Sequence, residues 1–454
     1  VSDRLTALDS SFLDIESPTA HMHVGWGALF APPDDRPAPT FEEIRHHIAG
    51  RMHRAPRYRQ RVEHVPFGIG NPVWVDDAGF SVARHVRRTA ERDFGAAVDE
   101  AMSTPLDPSR PLWELRVADD LPDGRIGIIG RAHHCMVDGL AAVELMSLLL
   151  DPTPDPPAPA LEGWHPSPRA GPLALAAGGV LGRLGTGLEL WRSNLETLSS
   201  PRRMMALPAR ALRAGRALLR SASPARGACA LNRPLSPHRH LAFARRPLED
   251  LRRIKGRFDA TVNDVVLAAA ASGVRGALDG RSEPAAPLKA MVPVSVRAEG
   301  STKDLGNRIS FVFLDLPCDE PDAVRRLESV KAQMDRSKRT GEPQGGDDLL
   351  RALEYAPRTV QRAVSRAVSS SWTFNLTVSN IPGPRMALYM LGCELEAAHP
   401  VVPLSEGHGV SIGMTTVGDD ACFGVYGDPD CMPDADVVAR GIEDSIDELA
   451  VASR

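Results

Sequence analysis

The chain has 454 residues, 43 % of them hydrophobic, and a formal net charge of −5. That length supplies two domains with sizeable cores, and the mild acidity gives no global reason to expect a nucleic-acid partner. Six scattered cysteines, Cys135, Cys229, Cys318, Cys393, Cys422 and Cys431, form no CxxC pair, which argues against a disulfide framework or a zinc site and fits a reducing compartment.

The N-terminus carries no apolar signal core. Residues 41–55 read as a helix stopped by Pro56. Residues 73–75 and 80–86 read as short strands. Residues 112–118 and 125–132 flank a turn-rich joint at 121–124 and read as a hairpin. Residues 140–150 then have the pattern of a helix. Seven prolines between Asp151 and Pro168 exclude a helix or a central strand there and mark an extended linker. Residues 169–226 are rich in Leu, Ala and Arg, with ten arginines against Glu189 and Glu196. Arg210, Arg213, Arg216 and Arg220 share one helical face, which reads either as a basic amphipathic helix on an anionic membrane or as a helical connection over the domain joint.

Past the linker, 240–245 reads as a strand and 248–258 as a helix. Residues 265–278 form a small-residue helix, followed by strands at 289–297 and 309–316. Helices follow at 323–337, 347–356 and 358–368, with Pro357 between the last two. Late strands at 373–378, 394–398, 409–416 and 421–426 precede a closing amphipathic helix at 434–453. No fixed-period repeat is present. No uncharged apolar run reaches the ~20 residues that span a bilayer. The domain division expected is 1–150, a proline-rich and arginine-rich connection at 151–230, and 231–454.

The most informative stretch is HHxxxDG: His133, His134, Asp138 and Gly139, at the junction of the 125–132 strand and the 140–150 helix. A histidine held there, with an aspartate four residues on, suits a general base with a structural partner. Neighbours on an extended segment point to opposite sides, so one imidazole can face a channel while the other packs. Cys135, beside them, reads as buried filler. His134 and Asp138 at i and i+4 could suit a helical metal pair, but the segment follows a strand, ends in Asp-Gly and has no evident third ligand, so no metal is expected.

HHxxxDG resembles the active-site signature of CoA-dependent acyltransferases. Other stretches are similar to motifs of the bacterial wax ester synthase/diacylglycerol acyltransferase family. These are LDSSFL from Leu8 to Leu13, Met22-His23-Val24-Gly25, PLW at Pro111 to Trp113, ND at Asn263 and Asp264, and SNIPGP from Ser379 to Pro384. HHxxxDG alone also occurs in peptide-synthetase condensation domains; the ordered set is far more specific. The resemblance implies an α/β (α+β) fold of two chloramphenicol-acetyltransferase-like domains, mixed sheets with helices, and a channel between them.

The resemblance assigns the base to the second histidine, His134. Asp138 either pairs with an imidazole or holds the loop, where Asp before Gly is a natural N-cap; the family favours the structural role. Gly139 permits a tight turn or close approach. Asn263 and Asp264 read either as helix caps or, for Asn263, as a polar group facing His134. Ser379 and Asn380 are either turn chemistry or an oxyanion or CoA contact. Trp113 reads as core.

The expected activity is acyl-CoA-dependent O-acylation of diacylglycerol, or of a long-chain alcohol to a wax ester, with no covalent intermediate and no cofactor beyond acyl-CoA as co-substrate. The competing readings are a carrier-protein-dependent condensation-type acyltransferase and a non-catalytic lipid-binding relative. The expected location is cytoplasmic, with peripheral contact at the inner membrane face or at lipid inclusions.

Overall fold

The computed structural model describes residues 3–33, 35–136, 148–155, 163–168, 171, 173–181, 215, 223–225, 229–295 and 309–454. Asp138, Gly139 and the arginine-rich face at 210–220 lie outside the described residues.

Among the described residues, two six-stranded mixed sheets carry the fold. The first takes β1 (His23–Ala31), β4 (Val86–Arg88), β5 (Trp113–Ala118) and β6 (Ile126–His133) from the N-terminal half, besides a small hairpin of β2 (Gln60–Glu63) and β3 (Val73–Asp76) that stands apart. The second takes β7 (His240–Pro247), β8 (Leu288–Ser295), β9 (Ile309–Leu316), β10 (Leu376–Ile381), β13 (Val410–Val417) and β14 (Asp420–Gly427). The first sheet is completed by β11 (Tyr389–Met390) and β12 (Cys393–Val401), which come from the C-terminal half and add to it in the order β11-β12-β1-β6-β5-β4. Residues 231–454 therefore supply strands to both sheets.

β12 runs antiparallel to β1, from Gly25 opposite Val401 to Ala31 opposite Glu394. To reach β1 it crosses β13 and β14 at the paired glycines Gly413 and Gly424. A Cβ on Gly424 would stand 2.1 Å from the Pro400 carbonyl oxygen, and one on Gly413 3.0 Å from the Pro400 ring. The glycine pair clears the path of the crossing strand.

Helices cover the sheets. In the N-terminal half these are α1 (Ala7–Ile15), α2 (Phe41–Ala49), α3 (Val82–His85) and α4 (Phe94–Ser103). In the C-terminal half they are α5 (Leu248–Arg257), α6 (Val262–Gly280), α7 (Ala323–Thr340), α8 (Glu342–Glu354), α9 (Arg358–Val368) and α10 (Ala435–Ala452). α6 is nearly all small or β-branched residues and is buried along most of its length, which lets α10 and the second sheet pack closely on it. A third apolar cluster draws on both halves, joining Val98, Met102 and Ile129 to Leu241, Val401 and Tyr426.

Several sequence expectations change. The helix expected over 41–55 ends at Ala49 with Gly50, a poor helix former, as its cap, and short 3-10 turns carry the chain to Pro56. The strand expected over 80–86 is α3 followed by β4. β1 and α4 were not signalled. β1 holds two glycines, Gly25 and Gly27, that pack against Met102 and Phe94 of α4, so its sheet-forming tendency comes from neighbours rather than from its own residues.

Polar ties also join the halves. His240 Nδ1 lies 2.7 Å from Asp99 Oδ2 of α4, and its Nε2 lies 3.2 Å from Asp436 Oδ2 of α10. The hydrogen bond and charge of Asp99 raise the imidazole from 6.5 to about 9. A raised folded-state value stabilises the fold fully below the unfolded value, and the contribution is lost as pH rises through the folded one. The thermal midpoint of His240→Gln should therefore fall furthest below wild type near pH 6, with the gap closing as pH passes 9. Gly424→Ala should cost at least about 1–3 kcal/mol in chemical denaturation, the range for overpacking against an atom that cannot move aside.

Candidate active site

The site begins with the end of β6. Strand alternation puts Ala132 and His134 on the side that faces the C-terminal half, and Arg131 and His133 on the side of α4. The His134 N–H donates to the Met22 carbonyl at 2.9 Å, just before β1, and the His133 N–H donates to Leu112 at 2.9 Å, just before β5. Both histidines are thus fixed to neighbouring strands at the backbone. Met22 takes a left-handed φ of 49° to present its carbonyl, a conformation that costs about 1–3 kcal/mol in a non-glycine residue and is found preferentially at functional sites. Trp113 of the PLW segment lies beneath. It is buried, donates from Nε1 to the Tyr58 carbonyl at 2.7 Å and stacks on His85, so it is a core residue.

The two imidazoles have different work. His133 is buried and its Nδ1 accepts from the Cys135 N–H at 3.1 Å, which closes the turn that leaves the strand. That bond leaves the proton on Nε2, which faces Glu16 Oε1 at 3.6 Å, beyond hydrogen-bond range. Burial, assisted by the neighbouring His134, pushes His133 down to about 3, so it is neutral at physiological pH. Glu16 keeps 39 % of its side chain exposed, yet its partial burial lifts it to about 7. Burial drives the Cys135 thiol well above its ordinary value, which removes it as a nucleophile.

His134 faces a cavity of about 360 Å³ between the two sheets. Val24, Trp26 and Phe30 of β1 form one wall, and Thr377, Ser379 and Ile381 of β10 form part of the other. The alternation of β10 explains why Ser379 lines the cavity while Val378 enters the C-terminal core and Asn380 is not on the cavity wall. Among the described lining residues His134 is the only ionisable side chain; the others are apolar or carry hydroxyls, such as Thr415 and Thr416 of β13.

Phe12 of α1 stacks on the His134 ring, with centroids 3.7 Å apart and planes 10° from parallel. α1 is itself clamped by the C-terminal half. The buried Asp14 accepts from Arg358 Nη2 at 2.8 Å and Arg362 Nε at 3.2 Å, and Arg358 Nη1 lies 2.7 Å from its second oxygen. The Ala7 N–H donates to Glu354 at 2.9 Å. The LDSSFL segment is thereby part of the site, contributing the ring against the imidazole. The motif match pointed to this segment, but a ring contact between α1 and β6 has no signature in sequence spacing.

The ND segment is elsewhere. The cap of α6 is Thr261, whose hydroxyl accepts from the Asp264 N–H at 3.1 Å while Asp264 accepts from the Thr261 N–H at 2.8 Å. Asp264 is the third residue of a capping box and is buried. Asn263 lies in the first turn of the helix, and neither it nor Asp264 lines the cavity. Of the two readings of these residues, the capping role of Asp264 is observed, and Asn263 stands beside it in the first turn of the helix. No group of metal-binding side chains occurs among the described residues.

The model of the wax ester synthase/diacylglycerol acyltransferase catalytic domain matches residues 5–266, and that of the WS/DGAT C-terminal domain matches 305–450. A probable diacylglycerol O-acyltransferase of Mycobacterium tuberculosis is 32 % identical over all of this chain and 96 % of its own, and a putative diacylglycerol O-acyltransferase of Mycobacterium bovis matches equally. The solved wax ester synthase/diacylglycerol acyltransferase of Marinobacter aquaeolei has the same fold, with a TM-score of 0.71, 22 % identity and 99 % of each chain covered. The starter condensation domain of rhizomide synthetase shares the fold more distantly, with a TM-score of 0.56, 16 % identity and coverage of 100 % of this chain and 94 % of its own. With both family domains matched in order along one chain, this protein belongs to the bacterial wax ester synthase/diacylglycerol acyltransferase family and is an acyltransferase.

Proposed function

We propose that the chain transfers a long acyl group from acyl-CoA to the hydroxyl of diacylglycerol, with His134 as general base and no covalent enzyme intermediate. The observation that carries this reading is the imidazole of His134 in a cavity whose other described lining residues are apolar or hydroxylic. The acceptor oxygen attacks the thioester carbonyl as His134 removes its proton. The C–S bond then breaks, and the imidazolium returns the proton to the leaving CoA sulfur. Such acid–base help is typically worth ~10²–10⁴-fold, and the cavity supplies positioning besides. Low polarity around the imidazole strengthens its interaction with the charge that develops.

His133 supports the reaction by closing the turn, and Ser379 is the proposed hydroxyl facing the reacting carbonyl from the second sheet. Asp138 and Gly139 lie outside the described residues, and their proposed supporting role rests on the motif alone. No cofactor beyond the acyl-CoA co-substrate is proposed. The cavity walls suit an acceptor with a long apolar tail, which diacylglycerol and long-chain alcohols share. The relatives named for diacylglycerol acylation favour diacylglycerol. No helix among the described residues is long and apolar enough to cross a membrane, so the proposed encounter with lipid is peripheral, at the inner membrane face or a lipid inclusion.

The test is CoA-thiol release from palmitoyl-CoA with diacylglycerol or hexadecanol. Wild type should release thiol only with acceptor present, faster with diacylglycerol. His134→Ala should lose at least ~10²-fold; release that survives in this variant would assign the base elsewhere. Phe12→Leu keeps apolar bulk but loses the ring face, so kcat should fall about ten- to a hundredfold with KM little changed. Phe12→Tyr should restore most of it.

A further inference from the structure

A surface helix in water ordinarily buries its apolar stripe and turns its polar face outward. α9 does the reverse. Its apolar positions Val360, Ala363, Val364 and Ala367 recur at helical spacing and are all exposed, while Gln361 and Ser365 are its buried residues. The inward face is held by polar bonds: Gln361 donates to the Leu353 and Ala356 carbonyls at 3.1 Å, and Arg358 and Arg362 hold Asp14 of α1. Val360 is 45 % exposed, and Trp372, just past the helix, is 61 % exposed. Exposed apolar side chains grouped this way on one helix face mark a surface with an occupant other than water.

The charge around the stripe says which occupant. α9 carries Arg358, Arg362 and Arg366 and no acidic residue. Arg366 donates from Nε to the Asp14 carbonyl, and among the described residues no carboxylate is paired with it. An outward apolar stripe flanked by the exposed, carboxylate-free Arg366, with a tryptophan at one end, has the composition of a helix lying in a lipid interface. The same helix also borders the cavity, through Val364, Ser365 and Val368.

We propose that the outward face of α9, together with Trp372, docks the protein on an anionic lipid surface. The helix then stands between that surface and the cavity of His134, so that an apolar acceptor passes from lipid to cavity along one element. This passage rests on the acyl transfer proposed above; the docking itself does not.

The test is flotation of the full chain with vesicles of phosphatidylcholine plus phosphatidylglycerol, or of phosphatidylcholine alone. Wild type should bind the anionic vesicles and bind the neutral ones severalfold less. The combined variant Val360→Gln, Ala363→Gln and Trp372→Gln should bind at least tenfold less with an unchanged thermal midpoint, and Arg366→Gln should bind severalfold less. Thiol release with detergent-dispersed acceptor should be unchanged in the combined variant, since none of its three positions lines the cavity. Equal binding by wild type and the combined variant would overturn the proposal, as would no binding by wild type. A sedimentation coefficient that falls in the combined variant would assign the face to a second copy of the chain instead. A thermal midpoint that drops in it would assign the face to another part of the same chain. Vesicle binding without acceptor-dependent thiol release would leave the docking standing and remove the reaction.

Discussion

The ladder between β1 and β12 is the constraint on which the rest of the molecule depends. It takes a strand made late in the chain and inserts it beside one made near the beginning, so the first sheet cannot be completed until the second half has been made. β1 then has β12 on one edge and β6 on the other. The segment that ends in His133 and His134 is one strand away from the crossing. Its height is set by backbone hydrogen bonds to the neighbouring strands. The glycine pair at Gly413 and Gly424 lets Pro400 pass close enough for both sheets to wall one cavity.

Within that frame, two adjacent histidines separate by face. His133 is buried, where its charge is suppressed and its Nδ1 serves the turn. His134 stands in an apolar space with no other ionisable side chain among the described lining residues. The difference comes from strand geometry, since the two residues are chemically identical and one position apart. Phe12 completes the arrangement by covering the His134 ring. Because α1 is clamped through Asp14 to α9, the C-terminal half holds the imidazole's surroundings in place as well as walling the cavity.

α9 links these features. Polar side chains on its inner face bind α1 and the end of α8, which leaves its apolar residues for the cavity rim and the outer surface. A helix packed through glutamine, serine and arginine gives up hydrophobic burial that the same sequence could have supplied in the opposite phase. The structure retains this arrangement beside the one cavity that holds His134, which ties the proposed docking face to the proposed chemistry.

The sequence by itself determined the family, the mixed α/β class, the position of His133 and His134 at the end of a strand, the core role of Trp113 and most elements of the C-terminal half. These are local signals: a motif in order, a hydrophobic period, a proline at a boundary. Only the tertiary structure decided the rest. β12 reads as an ordinary strand, and nothing in its residues says which sheet receives it, because register and partner are set by what lies opposite. Asn263 and Ser379 were both candidates as motif residues; strand alternation puts Ser379 on the cavity wall, whereas Asn263 stands in the first turn of α6, outside the described lining. The outward turn of α9 was illegible for the same reason. A hydrophobic period gives the angle between faces but not which face meets the protein, and here the buried pairing of Asp14 with arginines outweighed the usual preference.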